Sequence, residues 1–245
     1  MAEKYSDRVL SIAKDNPVLT GLLATVVAGV AWTVNDFRSW KAFGTGGTPP
    51  TWSGYWRMTK IRITHTLSKN NLSDPSPLSK EGPTYLKTPL APRTGPRPKI
   101  ISRTMPQRQH PTPIPAQTRE KLHSLMHHLA TSHPKTLYTK PSHTEGKSTV
   151  GLYAVPDTDT LNPIARDRVL DHEIAHAHPA ENSLHVWLSD GDARVVIEAG
   201  WGLRFPLAFV RSGWTMVYAP RDEGELEVVE GIVRAGVGFI TGVAI

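Results

Sequence analysis

The stretch EIAHAHPAENSLHVWL (Glu173–Leu188) decides how the chain is read. Glu173 to His178 alternates with period two, Pro179–Asn182 supplies turn residues, and Leu184–Leu188 is a second β-like run. The pattern predicts an antiparallel hairpin. A turn centred on Pro179–Asn182 sets His176 opposite His185 and Ile174 opposite Trp187. Side chains two apart share a face of a strand, so His176, His178, His185 and Trp187 are expected on one side. Imidazoles clustered beside an indole form a candidate proton-transfer or metal site. The competing reading is a polar, solvated sheet face with incidental histidines.

The same residues hold a rival motif. His172-Glu-Ile-Ala-His176 spells HExxH, which on a helix puts both histidines on one face for Zn²⁺, with the glutamate as general base. The following positions are Pro179 and Asn182, where one class of zinc protease carries Gly and His. Another class needs a later Glu, for which Glu198 is the candidate. The period-two alternation argues for a strand and against this zinc hydrolase.

Working outward, Thr118 opens a predicted amphipathic helix as its N-cap, with Leu122, Leu125, Met126 and Leu129 on the buried stripe. Lys135–Lys140, Ser148–Val155 and Trp214–Ala219 read as short strands, and Asp157–Pro163 as a polar loop. Asp190–Ala199 reads as a helix ended by Gly200, with Ser189 and Asp192 spaced as a variant capping box. Asp222–Thr241 reads as a longer helix whose first turns are acidic, as the helix dipole favours. Together these predict an α+β domain over 118–245, mainly an antiparallel sheet packed against helices.

The chain has 245 residues, 21 prolines and no cysteine, which excludes disulfides, thiolate metal sites and thiol nucleophiles. Eleven of the prolines lie between Leu67 and Gln117. Residues 41–117 are therefore expected to be an extended, Pro-rich basic segment. It is either a linker or a strap partly wrapping the domain through Ile100, Ile101, Met105 and Ile114. Charge is concentrated there: Arg57–Lys121 carries 13 Lys/Arg against three acids, while the remainder is slightly acidic. Such a segment favours anionic lipid or nucleic acid, but the rest of the chain does not look like a nucleic-acid binder, and no nucleic-acid partner is expected. Trp52–Ile63 mixes aromatic and basic residues and fits a membrane-surface segment, a short strand or a helix. Asn16–Asn35 is a run of 20 residues without a charge, long enough as a helix to cross a bilayer core. Residues 1–40 are expected to be a single-pass N-terminal membrane anchor; a buried helix is the alternative.

EIAHAH (173–178), SLHVWLSDGDARVVIEAGWGLRFPLA (183–208) and WTMVYAPRDEGELEVVEGIVRAGVGFITG (214–242) resemble the luciferase-domain family, which includes fungal luciferases. GPRP (95–98) and MPQRQ (105–109) are similar to it as well. The luminous members read Arg-His-Pro where this chain has Arg204-Phe205-Pro206, and Arg where it has His172. The resemblance implies an oxidoreductase: an oxygenase using no metal and no cofactor, with molecular oxygen as co-substrate. It would deprotonate a planar hydroxypyrone such as 3-hydroxyhispidin, or a related phenol. The candidate catalytic residues are His176, His178, His185 and Arg204. Trp187, Trp201 and Tyr218 are candidates for binding a small planar aromatic or pyrone ligand. The other reading is a non-catalytic domain using the same pocket for a planar ligand. In either case Arg97 and Arg103 are expected to pair with acids of the domain or with lipid head groups.

Overall fold

The computed structural model describes residue 11, residues 14–101 and residues 107–245. Two compact units divide the chain at Phe43. In the first, helix α1 (Pro17–Phe43) has 27 residues, about 40 Å of rise. Among the described residues it is the helix long and apolar enough to cross a membrane, and none of its apolar window is buried.

The second unit, residues 44–245, is α+β. Its elements are α2 (Trp52–Ser68), α3 (Ala116–Ser132), β1 (Leu137–Pro141), β2 (Val150–Ala154), β3 (Glu173–Ala177), β4 (Leu184–Trp187), α4 (Asp190–Glu198), β5 (Gly202–Arg204), β6 (Trp214–Val217) and α5 (Glu223–Thr241). The six strands form one sheet in the order β1-β2-β3-β4-β6-β5, antiparallel throughout. The hairpin register is the one the sequence implied, with His176 facing His185. Helix α5 lies close against β4. A Cβ on Gly236 would stand 2.9 Å from the Trp187 carbonyl oxygen and from Val186 Cγ1, and 3.4 Å from Ile174 Cγ2. Leu226, Val229, Ile232, Val233 and Val237 of α5 join the α3 stripe Leu122, Leu125, Met126 and Leu129 in one core.

Strict alternation along β3 fails at one place. Ala175 faces Leu152 of β2 and Glu173 faces Tyr153, so Ile174 is an extra residue in the ladder. Such a bulge reverses the facing of whatever precedes it. Ile174 turns with Ala175 toward α5, and Glu173 joins His176 on the opposite face. Gly151, paired with His176, makes room there: a Cβ would stand 2.9 Å from Glu173 Oε1.

Trp52–Ile63 lies within α2, capped by Thr51, whose hydroxyl accepts from Gly54 N at 3.2 Å. Helix α3 begins three residues before the expected start, with Pro115 rather than Thr118 at the N-cap. The Pro115 carbonyl already accepts from Arg119 N, leaving Thr118 buried inside the first turn rather than capping it. Ser189 caps α4 through Asp192 N at 3.1 Å. Asp192 does not return the bond, because its carboxylate accepts from Tyr85 N (2.8 Å) and Leu86 N (3.4 Å) instead.

That contact is one of a series tying residues 70–109 to the unit. Arg93 pairs with Glu225 at 2.8 Å and donates to the Ala219 carbonyl at 2.9 Å. Arg97 donates to the Ile197 carbonyl at 3.0 Å, Trp201 Nε1 to the Ala91 carbonyl at 2.9 Å, and Ala219 N to Gln109 Oε1 at 2.9 Å. Arg103 and Met105 lie outside the described residues.

Burial alone would raise the Glu225 carboxyl, but hydrogen bonds from Arg221 and Arg93 hold it at about 2. A carboxyl depressed on folding stabilises above its unfolded value, 4.5, and loses that contribution as pH falls toward 2. Glu225→Gln should cost about 1.5–3 kcal/mol at neutral pH. Urea unfolding at pH 7 and near pH 3 should show the gap between the two proteins closing in acid.

Candidate active site

Three imidazoles converge on the face of the sheet that the bulge exposes to Glu173. His176 Nε2 lies 3.2 Å from His178 Nε2 and 3.3 Å from His185 Nδ1, and His178 Nε2 lies 3.1 Å from His185 Nδ1. Alternation from β3 and the paired register from β4 bring them together. All three are buried.

A carboxylate from another part of the chain completes the group. Glu145, in the loop between β1 and β2, places Oε1 3.5 Å from His176 Nε2 and 3.6 Å from His178 Nε2. Arg108 binds Glu145 Oε1 at 2.5 Å and stands 3.8 Å from Glu181 Oε1. Behind the imidazoles lies a second layer. His176 Nδ1 meets Glu173 Oε1 at 2.8 Å, and His178 Nδ1 meets Ser183 Oγ and Glu181 Oε1, each at 2.8 Å. Glu173 also accepts from Ser142 Oγ (2.6 Å), Thr144 N and Oγ1 (3.1 Å each) and Tyr153 OH (2.9 Å).

Each titration is pulled by nameable forces. Burial opposes charge on His176, but the hydrogen bonds to Glu145 and Glu173 prevail and raise it to about 9. Burial, reinforced by the Arg108 guanidinium, holds His178 well below the ordinary imidazole range. Burial and the two neighbouring imidazoles do the same to His185. Burial lifts Glu181 to about 7 against the opposing pull of Arg108. Glu145 is driven low despite its burial, chiefly by Arg108.

A cavity of about 370 Å³ lies beside the cluster, separated from the imidazoles by residues that touch them. Phe205 meets the His185 ring edge-on at 5.1 Å, and Trp214 stacks on it at 5.7 Å. Both line the cavity, as does Thr144, whose hydroxyl is 3.3 Å from His176 Nδ1. Helix α2 supplies Arg57, Met58 and Ile61 to the wall. At the rim, Gly47 passes against the β1–β2 loop so closely that a Cβ would fall 2.4 Å from the Thr144 carbonyl oxygen. The volume and the apolar wall suit a small planar ligand. A second cavity, about 610 Å³, lies between residues 84–91 and α5, and none of these imidazoles lines it.

The structure brings together His176, His178 and His185 among the expected site residues and takes the others elsewhere. Arg204 is held by the turn at residues 70–74, donating to the Asp74 carbonyl (2.7 Å), Asn70 Oδ1 (2.7 Å) and the Asn71 carbonyl (2.9 Å). Arg93 of the chain itself lies over the rings of Trp201 (5.5 Å) and Tyr218 (5.4 Å). Trp187 is fully buried, and neither it, Trp201 nor Tyr218 lines the cavity beside the imidazoles. His172 stands in a left-handed turn with Asp171, bonded to that residue at 3.2 Å, so the HExxH residues do not share a helix. Glu145, Arg108, Glu181 and Ser183 escaped the sequence reading. For Arg108 the signal was present, since it is the arginine of the MPQRQ motif; Glu145 sits in an unremarked loop.

Residues 171–236 match the luciferase-domain family. The matched segment holds His176, His178, His185, Glu173 and Glu181, while Glu145 and Arg108 lie before it. The chain is 33% identical over 175 residues to a luciferase of Armillaria gallica, covering 62% of this chain and 61% of the relative. It is 35% identical over 161 residues to a luciferase of Neonothopanus nambi, covering 61% and 60%. The chain thus spans about three-fifths of the length of these relatives. No solved structure matches it.

The ion pairs of Arg108 with Glu145 and Glu181 are buried on both sides. Removing one partner of a buried pair typically costs about 3–5 kcal/mol. Arg108→Ala should lower the urea midpoint accordingly, and the double variant Arg108→Met/Glu145→Met should recover part of the loss.

Proposed function

We propose that this protein carries out an oxygen-dependent oxidation of a small planar enol or phenol, of the hydroxypyrone class, as a fungal-luciferase-like oxidoreductase. The observation that carries the reading is the group of three buried imidazoles behind Thr144, Phe205 and Trp214, which wall an apolar cavity, in the segment that matches the luciferase domain. A flat substrate enters between α2 and the Phe205–Trp214 wall and presents its acidic hydroxyl to the cluster. The cluster takes up the proton and holds the oxyanion, away from bulk water. The electron-rich carbanion then adds O₂ directly, and the peroxide closes on the lactone carbonyl. Loss of CO₂ leaves the oxidised product, to which the proton returns. Both oxygen atoms remain in the products, so no external reductant is consumed. Helix α1 serves as a single membrane anchor, which places lipid beside a protein whose substrate is itself apolar.

Oxygen consumption and photon counting with 3-hydroxyhispidin and simpler hydroxypyrones test the chemistry. His185→Ala should reduce oxygen uptake at least about 100-fold, the scale of a lost acid–base group, with the circular dichroism unchanged. His172→Ala should leave uptake within about twofold, because a surface turn outside the cluster does not touch the reacting atoms. Tight pyrone binding without oxygen uptake would instead identify a non-catalytic ligand-binding domain. Carbonate extraction should leave the full chain in the membrane pellet; recovery in the soluble fraction would rule out the anchor.

A further inference from the structure

The three nitrogens at the centre of the site face one another with too few protons to go round. His176 Nδ1 is committed to the Glu173 carboxylate, and His178 Nδ1 to Glu181 and Ser183. Carboxylates only accept, so each of those Nδ1 atoms carries the hydrogen. A neutral imidazole has a single N–H. With both rings neutral, the two Nε2 atoms present lone pairs 3.2 Å apart, with His185 Nδ1 at 3.1 and 3.3 Å. Glu145 Oε1, another acceptor, closes on the same point from 3.5 and 3.6 Å. His185, with its own N–H at Nδ1, serves one edge of this triangle and an extra proton on His176 Nε2 a second, but the remaining edge then sets N–H against N–H.

A cation at the centre serves all of them together. Bonds of about 2.0–2.1 Å in a tetrahedral site put neighbouring ligand atoms about 3.3–3.4 Å apart. The nitrogen triangle has edges of 3.1–3.3 Å. All four ligand atoms lie within 4.8 Å of one another, and all four residues are buried. The outer layer also has the arrangement of a metal site, in which a carboxylate or hydroxyl behind each ligating histidine fixes its tautomer and direction. Glu173 does this for His176, and Glu181 with Ser183 does it for His178. The charges agree as well. Among the described residues the fixed cation paired with Glu145 and Glu181 is Arg108, so the group of Glu145, Glu173 and Glu181 keeps negative charge that a bound cation offsets.

We propose that His176 Nε2, His178 Nε2, His185 Nδ1 and Glu145 bind one divalent first-row transition-metal ion. Imidazole with carboxylate suits zinc, iron, nickel or manganese, and the chain has no thiolate to select a softer ion. This departs from the metal-free expectation that the family resemblance carried. The set is also not HExxH, because His172 is excluded and the ligands come from two strands and a loop. The ion's part in the reaction, holding the substrate oxyanion, rests on the oxidation proposed above; its binding does not.

The test uses the full chain, stripped with EDTA and then titrated with Zn²⁺ and, as a spectroscopic probe, Co²⁺. One ion per chain by elemental analysis, visible bands of low-symmetry Co²⁺, and a melting temperature raised by Zn²⁺ and lowered again by EDTA are expected. His178→Ala and His185→Ala should lose stoichiometric binding. Glu173→Gln should weaken it about 10–100-fold. His172→Ala should bind as the parent does. Substoichiometric binding by the folded parent, or full binding by folded His178→Ala and His185→Ala, would overturn the site. Loss of binding in His172→Ala would overturn it too, in favour of HExxH. The two proposals fail separately: an ion bound without oxygen uptake sinks the oxidation alone, oxygen uptake by protein that binds no ion sinks the metal site alone, and uptake undiminished by stripping a bound ion overturns the ion's part in the reaction.

Discussion

The Glu173 carboxylate is the interaction on which the site depends. It is fully buried, and it survives there as an anion because Ser142, Thr144, Tyr153 and His176 all bond it. Burial alone would raise its titration; those bonds, His176 foremost, bring it below the ordinary range. A buried charge without partners costs several kcal/mol, so the geometry around this one is held tightly. Through Ser142 and Thr144 it fixes the β1–β2 loop, and that loop carries Glu145. Through His176 Nδ1 it fixes an imidazole tautomer. The bulge at Ile174 and the absence of a side chain at Gly151 are the conditions that let it reach both.

The Pro-rich segment owes its order to the same economy of buried charge. Its arginines were legible as a basic patch, yet Arg93 and Arg108 point inward. Arg93 lies between Trp201 and Tyr218 and pairs with Glu225, and Arg108 pairs with Glu145. Prolines stop this stretch forming helix or central strand, so its backbone donors and acceptors must find partners on the domain. Asp192 accepts from Tyr85 N, the Ala199 carbonyl accepts from Arg93 N, and Trp201 Nε1 donates to the Ala91 carbonyl. The segment thereby becomes part of the site, since without Arg108 two buried carboxylates face each other across the imidazoles.

The cavity beside the imidazoles is built from pieces distant in sequence. Its floor comes from β6 and the turn after β5, its rim from Gly46–Thr48, and one wall from α2. The electrostatics are separable from the shape: the wall is apolar, while the charge lies in the imidazole–carboxylate cluster behind it. Phe205 joins the two functions, being both cavity wall and edge-on neighbour of His185.

Local pattern determined much of this protein. Period-two alternation and the PAEN turn fixed the hairpin, its register and the convergence of His176, His178 and His185, because facing along a strand is a property of neighbours. The 3.6-residue stripes of Leu122–Leu129 and Leu226–Val237 fixed the helical layer for the same reason, and the uncharged run Asn16–Asn35 fixed the long apolar helix. Tertiary structure decided which charges meet. Nothing near Glu145 in sequence marks it as a partner of His176, and Arg108 reaches it from 37 positions away. The bulge at Ile174, which moves Glu173 to the imidazole face, arises from pairing with Tyr153 rather than from any residue in β3 itself. Trp201, Tyr218 and Arg204 read as ligand-binding residues because their chemistry suits a planar anion. In the folded chain Arg93 and the turn at 70–74 occupy them first, being tethered at high effective concentration.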